Sequence, residues 1–363
     1  VRFTMVKVNN IELGAVIAKD IYANTSYPII KKNTPISYEH LHILKAFNIK
    51  EVPVLDESIR QSVPYKTIDL NEHDIFQENK MNQFGRKYLE SFEQFKKEFN
   101  SWEAGSKIDI RKLREMVIPL MEKVLENRFY IFDLLKYSRP DDYIYHHCIA
   151  TGLIAAAISN KLGVDWGYSI QMGIAGTLAD CGMSKIIKSI RNKKDLLTDA
   201  ELQEIRKHPI YSYSMIKDLP ALKPEMKIAI FQHHERLDGS GYPSGAKMGN
   251  VLKLSQIIAV ADTFHAMASD RFYRPKKTPF EVIETIKETE FGKLDVQVVN
   301  AMIDLLTDLP IGTKVELTNL EKAEVLYINR FCPTRPIVRL LKNREIVDLS
   351  KQKSLTISDI VTD

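Results

Sequence analysis

Phe231-Gln-His-His-Glu-Arg-Leu-Asp-Gly-Ser-Gly-Tyr-Pro-Ser-Gly245 is the stretch on which the reading of this chain turns. It sets His233 and His234 side by side at the end of an apolar helical run, Lys227 to Gln232. Glu235, Arg236, a Gly-rich turn from Asp238 to Gly241, and Tyr242-Pro243 follow. Adjacent histidines at a helix end can aim at one point, because the chain there is released from the helical rotation. Imidazoles so placed are good ligands for zinc, iron or manganese. Alone, the pair reads as two surface residues before a turn; its company in the rest of the chain decides.

Outward from this stretch, residues 127 to 310 read as helical. Apolar spacing of three and four recurs in Ile144 to Leu162, Ser169 to Asp180, Thr198 to Lys207, Pro224 to Gln232, Leu254 to Ala268 and Thr278 to Thr289. Gly163, Gly182, Pro209, Pro220 and Pro275 punctuate them, which predicts an all-α domain with short connections. Six of the nine histidines fall between His146 and His265. His147 sits ahead of an Ala-rich helix, Asp180 ends the apolar run from Met172, His208 precedes Pro209, and Asp262 lies inside Ile257 to Phe264. A carboxylate in such a run is costly to bury without a partner, and a cation is the strongest partner. Singly, each residue reads as structural. Together, His147, Asp180, His208, His233, His234 and Asp262 predict a divalent metal centre.

These residues carry a family resemblance. The pattern H-H-E-R-x-D-G-x-G-Y-P, matched in full by His233 to Pro243, resembles the signature of the HD-GYP subgroup of the HD superfamily of metal-dependent phosphohydrolases. Lys207-His-Pro209, Ala259 to Met267 and Ser269 to Arg274 extend the likeness over roughly residues 135 to 305. The resemblance implies hydrolysis of cyclic di-GMP by a hydroxide held on iron or manganese, with a metal lowering the pKa of its water. It implies Asp180 as a bridging ligand, Lys185 near the phosphate, Arg271 and Arg274 on phosphate oxygens, and Tyr242 in the pocket wall. It also exposes a departure. The histidine of the family's His-Asp dyad stands here as Ala179, and Met183 takes the place of its following lysine. One site keeps Asp180, His208, His233 and His234; the other keeps His147, Asp180 and Asp262 and lacks a fourth ligand. The expectation is therefore one or two ions per chain. The leading reading is a cyclic di-GMP phosphodiesterase with an atypical metal site. The alternative is a catalytically silent relative that binds the dinucleotide or a protein partner as a receptor or scaffold.

The flanks differ in character. Residues 1 to 75 read as a small mixed α/β module, with strands at Val6 to Val8 and Glu51 to Val54 and a helix from Ser37 to Phe47. Residues 76 to 126 read as a connecting helical segment, either solvated, packed on the next domain, or forming a seam to a second copy in a homodimer. Residues 311 to 363 carry short β-rich runs that predict a small β-barrel-like module. The chain of 363 residues, 44% hydrophobic and 27% charged, suits several folded domains. No apolar run reaches the length of a membrane span, and three scattered cysteines fit a reducing cytoplasm. A net charge of +4 without a basic tract argues against a nucleic-acid polymer as partner.

Overall fold

Between Ile144 and Leu162 the sequence is apolar on almost every side, and the helix it forms, α4 (Tyr143–Lys161), is buried continuously from Tyr145 to Ser159. A helix apolar all round belongs at the centre of its fold. The structure, a computed structural model, describes residues 3–12, 14–22, 30–36, 40–41, 44, 49–55, 82–270 and 277–361. The chain divides into two compact units, Val1–Lys80 and Met81–Asp363.

In the first unit, strands β1 (Phe3–Lys7) and β2 (Glu51–Leu55) pair antiparallel, Phe3 opposite Leu55 and Lys7 opposite Glu51. Ile17, Ile30, Leu44 and Val52 bury a small core beneath them. The helix expected from Ser37 to Phe47 lies largely outside the described residues.

The second unit is built around α4. Before it come α1 (Gln83–Glu103), α2 (Ile110–Glu126) and the single-turn α3 (Tyr130–Leu134). Phe84, Tyr88, Phe92, Phe95, Phe99 and Trp102 recur every three or four residues on α1 and are all buried. A helix carrying such a stripe needs a partner surface, and it finds one in its own unit. Phe92 stacks on His146 of α4 at 4.0 Å, and Ser91 Oγ donates to the Met116 carbonyl of α2 at 2.9 Å. After α4 come α5 (Trp166–Leu178), the short α6 (Lys188–Arg191), α7 (Asp199–Ile205), α8 (His208–Ile216), α9 (Pro224–Gln232), α10 (Lys253–Ala268), α11 (Pro279–Thr289) and α12 (Val296–Thr307). Asp165, Thr198, Thr278 and Asp295 cap α5, α7, α11 and α12 through their side chains, satisfying amide donors that a helix start leaves open.

The C-terminal strands correct the barrel expectation. β3 (Lys314–Leu317), β4 (Lys322–Tyr327), β5 (Ile337–Leu340), β6 (Ile346–Asp348) and β7 (Ile357–Ile360) make an antiparallel sheet in the order β6-β5-β4-β3-β7. β6 and β7 are its edges and do not pair with each other among the described residues, so the sheet stays open. Strands of three to six residues are short for closure, and bulges at Glu316/Leu317 and Val325/Tyr327 bend the sheet without closing it. The sheet packs on α11. Glu284 accepts Thr334 Oγ1 at 2.8 Å and Arg335 Nε and Nη2 at 2.8 and 2.7 Å. Among the described residues, no helix is long and apolar enough to cross a membrane.

Candidate metal centre

Helix α5 ends at Leu178, and the chain leaves it through Ala179 and Asp180 into a single 3-10 turn, Cys181–Lys185. One hydroxyl holds this exit. Ser212 Oγ of α8 donates to the Ala179 carbonyl at 2.7 Å and accepts from the Gly182 amide at 2.8 Å, so the backbone is held on both sides of Asp180. Gly182 is required there. A Cβ at that position would run into the His208 carbonyl and the Ser212 amide. The buried Asp180 is thus fixed beneath the start of α8, whose first residue is His208.

Five histidine and aspartate side chains from other elements converge on Asp180. Its Oδ1 lies 2.9 Å from His208 Nε2 and 3.6 Å from His233 Nε2; its Oδ2 lies 3.1 Å from His147 Nε2. His147 Nε2 is also 2.8 Å from Asp262 Oδ1 on α10, and Asp262 Oδ2 is 3.7 Å from His234 Nδ1. One ligand atom from each of Asp180, His208, His233 and His234 falls within a 4.8 Å set, and so does one from each of His147, Asp180 and Asp262. Asp180 belongs to both sets.

The hydrogen bonds decide which nitrogens carry protons. His208 Nδ1 lies 2.8 Å from the Ile205 carbonyl and His233 Nδ1 lies 2.6 Å from the Ile230 carbonyl. A carbonyl only accepts, so each Nδ1 bears the hydrogen and each Nε2 presents a lone pair. Those lone pairs face each other at 3.2 Å with a carboxylate oxygen beside them. Three electron-rich atoms so close repel unless a cation lies among them, and histidine and carboxylate are suitable donors for a divalent ion. The donor set fits a metal.

The charges agree. Burial would raise the pKa of Asp180, but the imidazoles packed against it, His208 first, then His147 and His233, outweigh burial and hold the carboxyl well below its usual range. Burial works the same way on Asp262 and is overcome chiefly by His234 and His147. Burial pushes His234 well down, into the neutral form that ligates. Burial would lower His147 too, yet its bonds to Asp180 and Asp262 raise it to about 9. A positive charge between the two aspartates is favoured by their geometry.

The Gly-rich turn is anchored from below. Glu235 is fully buried, and its carboxylate accepts the Ser244 amide and hydroxyl at 2.7 and 2.6 Å and the Ala246 amide at 3.0 Å. At Gly241 a side chain would collide with the His234 carbonyl and Arg236 amide. The bare backbone lets the Tyr242 amide reach that carbonyl at 3.1 Å. The Tyr242 ring then stacks on His234, centroids 4.6 Å apart and planes 26° apart.

The sequence has relatives. Residues 120–298 match the family model described as "HD domain". A cyclic di-GMP phosphodiesterase of Pseudomonas aeruginosa is 29% identical over 219 residues, which is 60% of this chain and 53% of that protein. The cyclic di-GMP phosphodiesterase PdeB of Borreliella burgdorferi is 29% identical over 215 residues, 58% of this chain and 56% of that one. Residues 120–298 are thus similar to an HD domain, and the signature at His233 to Pro243 resembles that of the HD-GYP type. In fold, the chain is similar to an HDG"Y"P protein from Bdellovibrio bacteriovorus, at a TM-score of 0.50 and 16% identity, covering 84% of this chain and 99% of that one. The chain spans about half the length of the two curated relatives, at 53% and 56%.

Within this stretch, the structure gathers His147, Asp180, His208, His233, His234 and Asp262 into one buried cluster walled by Tyr242. Lys185 is not brought in: its Nζ donates to the Trp102 carbonyl at 2.5 Å. A 3-10 turn repeats every three residues, so Met183 eclipses Asp180, whereas Lys185 is rotated away. Arg271 and Arg274 lie outside the described residues. His146 and Cys181, next in sequence to His147 and Asp180, have partners elsewhere. His146 Nδ1 meets Tyr88 Oη at 3.1 Å, and burial pushes the Cys181 thiol up to about 12. Two further residues border the cluster. Tyr143 Oη and His265 Nδ1 each lie 3.0 Å from His147 Nδ1, on the ring edge away from the aspartates. Their spacing, four residues before His147 and three after Asp262, places both on the inner helix faces and was the available signal.

Proposed function

We propose that this HD domain is a metal-dependent phosphodiesterase acting on a cyclic dinucleotide, with cyclic di-GMP as its substrate. The observation that carries it is the pair of unprotonated Nε2 atoms, His208 and His233, facing each other at 3.2 Å beside Asp180. The curated relatives named as cyclic di-GMP phosphodiesterases support the substrate class. His147, Asp180, His208, His233, His234 and Asp262 would hold the ions. The nitrogen and carboxylate donors, without thiolate, suit iron or manganese. Bound divalent ions supply Lewis-acid charge at the phosphate and acidify water enough for attack near neutral pH.

The chain's own residues do the rest. Ile205 and Ile230 carbonyls fix two imidazoles in their ligating tautomers. Asp180 and Asp262 stay ionised in a buried site where their charge is poorly screened. Tyr242 holds His234 by stacking and forms a wall for the dinucleotide, and Arg271 and Arg274 bind phosphate oxygens. The sequence-based boundaries, 1–75, 76–126, 127–310 and 311–363, remain the domain reading, with the N-terminal and C-terminal modules as appendages.

Ala179 favours a second reading. If it stands in for a ligand, one ion is weakly held, and the chain is a silent receptor for the dinucleotide or a scaffold for a protein partner or a second copy. Elemental analysis separates the two, since two ions per chain support hydrolysis and one or none supports the receptor. Incubation of cyclic di-GMP with manganese- or iron(II)-loaded protein tests the reaction itself. Binding without linear product would sink the enzyme reading. Under it, Ala179→His raises both ion content and rate.

A further inference from the structure

We infer that Arg206 is a substrate-binding residue that grips a phosphate oxygen of the dinucleotide at the mouth of the cluster. This rests on the cyclic dinucleotide reading above. Arg206 follows Ile205, whose carbonyl fixes His208, so its backbone is tied to the centre. Its guanidinium lies over the Tyr242 ring, 5.4 Å from the centroid. That ring in turn stacks on His234 at 4.6 Å and meets His208 edge-on at 6.3 Å. One aromatic ring separates the cation from the cluster.

The other cations nearby are already engaged. Lys185 holds the Trp102 carbonyl, Arg191 pairs with Glu103 at 2.5 Å, and Lys193 pairs with Glu201 at 2.6 Å. Lys207 pairs with Glu204 at 2.6 Å, and Arg236 lies 3.5 Å from Glu290. Arg206 has no carboxylate partner among the described residues, and it is exposed. A guanidinium resting on an aromatic face is weakly restrained and keeps its planar fork of donors open. That fork matches two phosphate oxygens. With Met183 beside Asp180 and Lys185 turned away, Arg206 is the one among these described cations without a carboxylate or carbonyl partner. It fills the cation's place at the mouth from the α7 side.

Calorimetric titration of cyclic di-GMP into metal-free wild type, Arg206→Ala, Arg206→Lys and Lys207→Ala tests this. Loss of a charge-assisted fork should weaken binding about ten- to a hundredfold in Arg206→Ala. Arg206→Lys should fall between, because a point charge replaces the fork. Lys207→Ala should stay within about twofold, as expected of an exposed, paired lysine. Melting temperatures of the variants should match the wild type, since the side chain is exposed. An Arg206→Ala variant that binds as tightly as wild type overturns the inference, and so does equal weakening by Lys207→Ala, which would make the effect general electrostatics. A wild-type chain that binds no cyclic dinucleotide, metal-free or manganese-loaded, would instead remove the functional reading and this inference with it.

Discussion

Asp180 turns one oxygen toward His208 and His233 and the other toward His147. Asp180→Asn keeps the shape and removes the charge from both sides at once. Manganese affinity should fall by at least about a hundredfold, the upper range seen for mere outer-shell losses, as measured by chelator competition. Retention of full metal content would show that Asp180 is not a ligand. Gly182→Ala tests the frame rather than the ligands. Its methyl meets the His208 carbonyl and Ser212, so the melt should show a loss of about 1–3 kcal/mol typical of overpacking, with metal content falling although no donor has changed. The donors themselves were legible in the sequence because aspartates and histidines stand out in apolar helices. The direction of long side chains was not. Lys185 is only two residues from Met183, yet the three-residue pitch of its turn sends it to Trp102, and Arg206 gave no signal until Tyr242 was seen beneath it.

At the scale of elements, helix positions followed from apolar period, and α9 begins and ends where Pro224 and Gln232 predict. What the period could not say was which surface covers the aromatic stripe of α1, because its partners on α2 and α4 come later in the chain. The sheet shows the same limit. β7 pairs with β3 across some forty residues of sequence, so short β-rich runs alone do not separate a barrel from an open sheet. The join between sheet and helices offers a pH test. Burial would raise the pKa of Glu284, but Arg335 and Thr334 outweigh it and hold it below the usual range. A depressed carboxyl stabilises above its unfolded pKa, about 4.3, and the contribution disappears as pH falls through the folded value. Arg335→Ala should therefore cost about 1–2 kcal/mol at pH 7, and much less near pH 3, in paired denaturant melts. Equal losses at both pH values would show that Arg335 acts by packing alone.

At the scale of the whole chain, the second unit contains every described member of the cluster, and its core runs continuously from Phe84 to Ile360. A fragment Met81–Asp363 is therefore expected to unfold in one cooperative transition and to keep the manganese content of the full chain. A fragment that loses its metal would place a necessary contribution in the first unit. Asp180 has a further consequence for the molecule as a whole. Because one carboxylate serves both donor sets, ions held in them cannot load independently. Whatever the first does to the affinity for the second, the second does to the first by reciprocity. The loading isotherm therefore carries an interaction term, and its sign reports whether the first ion readies Asp180 for the second or draws away the charge that the second would need.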